Sequence, residues 1–343
     1  MVNSFDPNTF IFSSPRGKLS IPPDLTIPSF LFQTTSARAY HHRLAIVDPS
    51  SHLSLTFSQL RSRIASAARA LSSLGISQGD VVLLLSPNSI HFPVLFFAIV
   101  SLGAVATTAN PVFSPGEIAR QARDSRAKLI LVHPDLLPKL SGSSLPILVI
   151  DSSSSFGTRP PSHPCPENSN CSSLSDAERL SAGHVPPPVH IRQTDTAAIL
   201  YSSGTTGLSK GIVLSHLNLI ASAIQTNSDA IRSGHKDLTF FAVTPFCHVY
   251  GLSFVLFSEL QCGNTIVTMP GFDFVGMLKA IQDYHVTSLP LVPPIMLALA
   301  KHDVALKYDL SSVIEITSGA SPLAKETVDG ALKRFKSPDV RQV

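Results

Sequence analysis

The 343-residue chain has no tryptophan, four cysteines and four methionines, and only 14% of its residues are charged. A typical soluble chain carries roughly 25% charged residues, so much of this one is available for burial. The cationic and anionic residues, 26 Lys and Arg against 23 Asp and Glu, nearly cancel to a net +3. That balance excludes a strongly basic nucleic-acid binder. A hydrophobic fraction of 44% excludes a disordered chain, which needs low hydrophobicity and high net charge. Four cysteines, none in a C-x-x-C pair, are no disulfide framework, and a reducing compartment is expected. Long apolar runs are also scarce. The longest, Phe92 to Ala106, has 15 residues, short of the roughly 18 a membrane span requires. It is read as a buried helix with Pro93 in its first turn, where the missing N–H costs little. The N-terminus lacks the basic-then-apolar order of a signal peptide.

Short apolar runs alternate with helical patterns. LAIVD (Leu44 to Asp48), LSLTF, VVLLLS (Val81 to Ser86), AKLILVH and LPILVID read as strands. The run Ser58 to Leu74 repeats Leu60, Ile64, Ala67, Ala68 and Leu71 at helical spacing, and Gly75 marks its end. After a further strand, TAAILYSS, come LTFFAV, NTIVTM, TSLPLV and VIEITSG, with helices at Phe274 to Tyr284 and Pro294 to Lys301. Continuous apolar strands in a β-α-β rhythm predict an α/β fold of mostly parallel, helix-covered sheets. Residues 152–190 break that rhythm with Ser, Pro and Asn, and their composition predicts a solvated linker or insertion.

The segment carrying most chemistry is TAAILYSSGTTGLSKGIVLSH, Thr196 to His216. An apolar strand runs into Ser202, Ser203, Gly204, Thr205, Thr206 and Gly207, followed by Lys210. Gly204 and Gly207 let the backbone approach a ligand closely. Successive N–H groups can form an anion nest, the hydroxyls add donors, and Lys210 supplies a positive charge. The spacing is not that of a Walker loop. A Ser/Gly-rich surface turn is the plainer reading, but it leaves the order of residues between a buried strand and Lys-Gly unexplained.

That order resembles the signature of the adenylate-forming superfamily, which comprises acyl-CoA synthetases, peptide-synthetase adenylation domains and luciferases. It is most similar to plant 4-coumarate–CoA ligases and their acyl-CoA ligase-like relatives. LTFSQL, GDVVLLLSPNS, GAVATTANP, TPFCHVYGL, VPPIMLALAK, KYDLSSV and TSGASPL extend the resemblance over nearly the whole chain, in family order. Ser209 stands where the family usually has Pro. The resemblance implies an ATP-dependent ligase that joins a carboxylic acid to AMP, releases pyrophosphate and passes the acyl group to CoA, with Mg²⁺ on the triphosphate. It implies phosphate contacts from Ser202, Ser203, Gly204, Thr205, Thr206, Gly207 and Lys210. Ala320 would lie beside the adenine, and Gln342 would open the next nucleotide motif. His248, Tyr250 and Gly319 would face the acid, and Lys210 and His248 would be the catalytic side chains. A lone histidine beside apolar residues is otherwise most often a satisfied core residue.

Two positions depart from the dedicated hydroxycinnamate ligases: Gly251, where they more often carry a larger residue, and Gly271, where they usually carry a CoA-contacting Lys. The chain reads Arg341-Gln342-Val343 where the family motif continues, so residues 1–343 are expected to form an incomplete N-terminal AMP-binding domain without the small C-terminal domain, and to be poorly active alone. Expected partners are the acid, ATP and CoA, with no nucleic acid and no membrane span; the oligomeric state stays open. The acid could be a hydroxycinnamate, a jasmonate precursor or a fatty acid, and the location cytoplasmic or peroxisomal. The alternative function is a non-catalytic homologue that binds nucleotide weakly or binds a partner protein.

Overall fold

The computed structural model describes residues 5–6, 8–12, 18–33, 40–151, 171–202, 209–233, 237–319, 321–336 and 338–342. In chain order the strands are β1 (Phe5–Asp6), β2 (Ile11–Phe12), β3 (Leu44–Asp48), β4 (Leu53–Thr56), β5 (Val81–Leu85), β6 (Val105–Ala109), β7 (Ala127–Val132) and β8 (Ile147–Val149). They continue as β9 (Cys171–Ser173), β10 (Thr196–Ser202), β11 (Lys210–Ser215), β12 (Thr239–Ala242), β13 (Thr265–Thr268), β14 (Ser288–Leu291), β15 (Glu315–Ser318) and β16 (Asp339–Gln342). One seven-stranded sheet has the order β11-β10-β6-β5-β7-β8-β9, and a second has β16-β15-β14-β12-β13-β3-β4. Pairing within both is parallel except at β10/β11 and β3/β4. The α/β fold of mostly parallel, helix-covered sheets read from the sequence is therefore present.

The strands are apolar throughout because both faces are covered. Along β5, Val82 and Leu84 face a core shared with Ala45, Ile46 and Ile266 of the second sheet. Leu83 and Leu85 join Ile118, Ile130 and Val132 on the opposite face. This is the alternation that the pleat imposes. Two helices fill the space between the sheets. Helix Phe57–Ser73 starts at a capping box, in which Thr56 Oγ1 accepts from the Gln59 N–H at 3.2 Å and Gln59 Oε1 accepts from the Thr56 N–H at 2.8 Å. It buries each of the five positions that its sequence spacing picks out, and it ends at Gly75 with φ +84°. Helix His91–Ser101 is buried from Phe92 to Val100, on every side, which marks it as a central core helix.

Two expectations need correction. The apolar run Phe92 to Ala106 is not one helix: the helix stops at Ser101, the chain turns at Gly103, and Val105 begins β6. Composition cannot see that turn because the strand beyond it is equally apolar. The stretch 152–190 is not a linker throughout. Residues 152–170 lie outside the described residues, but Cys171–Ser173 pairs with β8, and helix Leu174–Leu180 buries Leu174 and Ala177. Its signal was the N-cap: Ser173 Oγ accepts from the Asp176 N–H at 3.1 Å. Cys247 and Cys262 are free thiols, and Cys171 is disulfide-bonded. No helix among the described residues is long and apolar enough to cross a membrane.

Buried ionisable groups tie stability to pH. Burial lowers His91 and His216 to about 4 from an ordinary value of 6.5. Their neutral forms support the fold above pH 6.5, and that support is lost as pH falls towards 4. Glu259 has the opposite sign. Burial raises its carboxyl to about 8 from 4.5, against a hydrogen bond that Oε2 accepts from Asn264 Nδ2 at 2.7 Å. The folded state then holds a proton that the unfolded chain releases, so stability present below pH 4.5 is lost as pH rises through 8. We predict that Glu259→Gln, which imitates the protonated acid, melts close to the wild-type temperature at pH 5 and above it at pH 8.5. Thermal melts across that range check this; parallel wild-type and variant curves would count against a neutral Glu259.

Candidate active site at the carboxyl edge of the two sheets

The strand-end motifs come together through strand direction. In parallel sheets, ligands bind in the crevice outside the carboxyl ends of the strands. Ser86, Pro87 and Asn88 follow β5, and Asn110, Pro111 and Val112 follow β6. From the second sheet come Val243, Pro245 and Cys247 after β12, Met269 to Phe272 after β13, and Val292, Pro294 and Ile295 after β14. Together these residues line a cavity of about 460 Å³. Its walls are mostly Pro, Val, Met, Phe and Ile with a few polar groups, the usual make-up of a small-molecule site.

The glycine/threonine loop leaves the same edge. β10 runs parallel to β6, with Leu200 opposite Thr108. It then pairs antiparallel with β11, closing a hairpin whose last rung is Ser202 opposite Lys210. Directly opposed side chains share one face of a hairpin, so these two flank the base of the loop, and both are exposed. Ser203, Gly204, Thr205, Thr206 and Gly207 lie outside the described residues. The hairpin is braced by Tyr201, whose hydroxyl donates to Asp124 Oδ2 at 2.5 Å. Burial, reinforced by Asp124, pushes that phenol well above its ordinary value.

The PFCHVYG segment follows β12. Pro245 and Cys247 reach the cavity, while His248 and Tyr250 are not among its walls. His248 is exposed, and its Nδ1 accepts from the Tyr250 N–H at 3.3 Å. That bond assigns the ring proton to Nε2. Tyr250 stacks on Phe254 with centroids 5.0 Å apart, and its buried hydroxyl has no hydrogen-bond partner. Burial lifts this phenol to about 12. Tyr250 also opens a π-helix, Tyr250–Phe257, whose end is marked by the Ser258 N–H bonding to Ser253 O. Such segments are rare and concentrate at functional sites. Gly319 is buried at the end of β15, where its N–H donates to Leu291 O at 3.3 Å. Ala320 lies outside the described residues. Gln342 ends β16, paired with Ser318. Every sequence-picked position that can be described therefore sits on one edge of the molecule. The cavity walls Asn88, Met269 and Ile295 were not singled out, because a cavity exists only once two sheets are juxtaposed.

A family model for AMP-binding enzymes matches residues 33–343. The chain belongs to the AMP-binding enzyme family. The Humulus lupulus protein named Probable CoA ligase CCL5 is 41% identical over 335 residues, covering 97% of this chain and 59% of that protein. The Arabidopsis thaliana Peroxisomal OPC-8:0-CoA ligase 1 is 37% identical over 343 residues, covering 96% of this chain and 59% of the relative. Among solved structures, a red-emitting luciferase from Phrixothrix hirtus superposes with a TM-score of 0.78 at 26% identity, over 95% of this chain and 62% of that one. The chain thus spans about three fifths of the length of the curated relatives it matches. The resemblance to adenylate-forming enzymes, and among them to plant 4-coumarate–CoA ligase-like proteins, holds at the level of family and fold.

Within this family member, Gly251 has a local steric reason. A Cβ there would sit 2.2 Å from the Pro245 carbonyl oxygen and 3.0 Å from that of Thr244. The absence of a side chain therefore serves the close approach of the π-helix to the loop before it. We predict that Gly251→Ala lowers stability by about 1–3 kcal/mol, the usual cost of overpacking. Denaturant unfolding measures it; an unchanged midpoint would show that the loop yields freely.

Proposed function

We propose that this chain forms the larger part of the adenylate-binding domain of an ATP-dependent acid–CoA ligase. One observation carries the reading: the Ser202–Lys210 rung opens the glycine/threonine loop at the same sheet edge as an apolar cavity of about 460 Å³. In this reading the loop from Ser202 to Gly207 and the Lys210 ammonium hold the phosphates of ATP. A carboxylate oxygen attacks the α-phosphorus, the bond to the β-phosphate oxygen breaks, and pyrophosphate leaves. The thiol of CoA then attacks the acyl carbon, gives up its proton and displaces AMP. Carboxylate and triphosphate repel, so donors fixed at the phosphates stabilise the charge that develops. His248 offers Nε2–H beside this edge as a donor to the carboxylate, Gly319 lets the acid lie against the backbone, and Ala320 is assigned to the adenine by the family resemblance.

Among the described residues no group of three His, Cys, Asp or Glu side chains could hold a metal. The resemblance to adenylate-forming enzymes puts Mg²⁺ on the triphosphate, where it would neutralise phosphate charge. The cavity walls favour an apolar acid. A hydroxycinnamate fits this description, and so does a longer acyl chain such as the OPC-8:0 in the Arabidopsis relative's name. Peroxisomal location, which that relative's name carries, is proposed alongside the cytoplasm.

Lys210→Ala should weaken ATP binding about tenfold or more, as expected for losing a charge-assisted contact. Lys301→Ala, at the exposed end of helix Pro293–Lys301, should leave it unchanged. Calorimetric titration of both variants decides; equal effects would remove the loop as the phosphate site.

A further inference from the structure

The loop that carries Cys247 and His248 follows a strand of the second sheet, yet the first sheet holds it. Asn88, 6% exposed, donates from Nδ2 to the Thr244 carbonyl at 3.0 Å and accepts at Oδ1 from the Phe246 N–H at 2.7 Å. Its amide thus makes both backbone bonds that a strand neighbour would make, one on each side of Pro245. One residue later, Thr108 at the end of β6, 3% exposed, donates from Oγ1 to the Cys247 carbonyl at 2.8 Å. Thr108 is fixed in turn by Gln121, whose Nε2 donates to the Thr108 carbonyl at 3.2 Å and to Thr107 Oγ1 at 2.9 Å. The side chain between these two ties, Phe246, is fully buried against the Phe92 ring at 5.6 Å.

We propose that Asn88 and Thr108 are positioning residues: as a latch between the sheets, they set the wall of the cavity and the place of His248. The functional half of this proposal rests on reading that cavity as the acid site. An ordinary structural role would spread its loss over the whole core. A latch confines it to one loop, because removing either side chain strands buried backbone groups of residues 244–247 and nothing else.

Cys247 reports the loop directly. It is 9% exposed, and burial holds its thiol up to about 11, so alkylation of the folded chain is slow. Cys262, raised to about 12 by burial and Glu259, is the internal reference on a different element. The variants are Thr108→Val, which keeps the volume and loses the donor, and Asn88→Leu, which keeps the shape and loses both bonds to the loop without adding a charge to the cavity. Each is treated with iodoacetamide and mapped by peptide mass. The same variants are titrated with 4-coumarate, with octanoate and with ATP. The latch predicts that Cys247 labelling rises about tenfold relative to Cys262, the scale of one lost buried hydrogen bond. It predicts that acid binding weakens by a similar factor and that ATP affinity stays within about twofold, as for a separate site. Equal acceleration at both cysteines, or none at Cys247, overturns the latch. If acid and ATP affinities fall together, the positioning role is overturned. If the wild-type chain binds neither acid, the acid-site reading fails, and the labelling ratio alone upholds or overturns the latch.

Discussion

The structure depends on strand direction. Each parallel pairing in the two sheets aims carboxyl ends the same way, and the crossing helices return on the far side. The unpaired backbone and the irregular segments therefore accumulate on one edge. Every motif that follows a strand is delivered there, whether or not it is near the others in sequence. Ser86–Asn88, Asn110–Val112, Thr244–His248, Met269–Phe272, Val292–Ile295 and Gly319 are separated by up to more than two hundred residues, and they share that edge for this reason alone. The β10/β11 hairpin, one of the two antiparallel pairings in these sheets, makes the loop. Turning back antiparallel at the sheet's margin, it holds Ser202 and Lys210 side by side instead of sending the chain into a helix.

The edge is set by contacts between sheets as much as within them. Helix His91–Ser101 packs on β5 and β6 and on helix Phe57–Ser73, which packs on β3 and β4, so one core joins the two sheets. The polar side chains of Asn88 and Thr108 cross the same boundary. Hydrophobic packing brings the two sheets together without specifying register, because it is non-directional. The hydrogen bonds fix where the loop of the second sheet meets the first. Steric fit completes it: Gly251 admits the Pro245 carbonyl where any side chain would collide.

The sequence revealed the strands well because burial on both faces turns them into short, unbroken apolar runs bounded by turns. Helix Phe57–Ser73 was equally legible, since one face is buried and the other is wet. The same logic failed where apolar character continues across a turn, as from Ser101 through Gly103 into β6, and where a helix hides in a polar stretch, as at Leu174–Leu180. Of the site, the ordered motifs at Ser202–Lys210 and Pro245–Gly251 were visible through their resemblance to adenylate-forming enzymes. Asn88 and Thr108 were not, although both lie within quoted family segments. An asparagine after a strand reads as a turn residue, and only the folded chain shows that its amide is spent on another sheet's backbone. Tyr250 packs on Phe254, and Pro245 and Cys247 are the residues of that segment that line the cavity.

The central claim is that one sheet edge receives both nucleotide and acid. Hydrogen–deuterium exchange with and without a non-hydrolysable acyl-adenylate analogue, such as an acyl sulfamoyl adenosine, tests it most directly. The account predicts that added protection concentrates in the β10/β11 hairpin around Ser202 and Lys210, in residues 244–248 and at the end of β15 near Gly319, with the outer helices unchanged. Protection confined to another face, or the same exchange with and without the analogue, would contradict it.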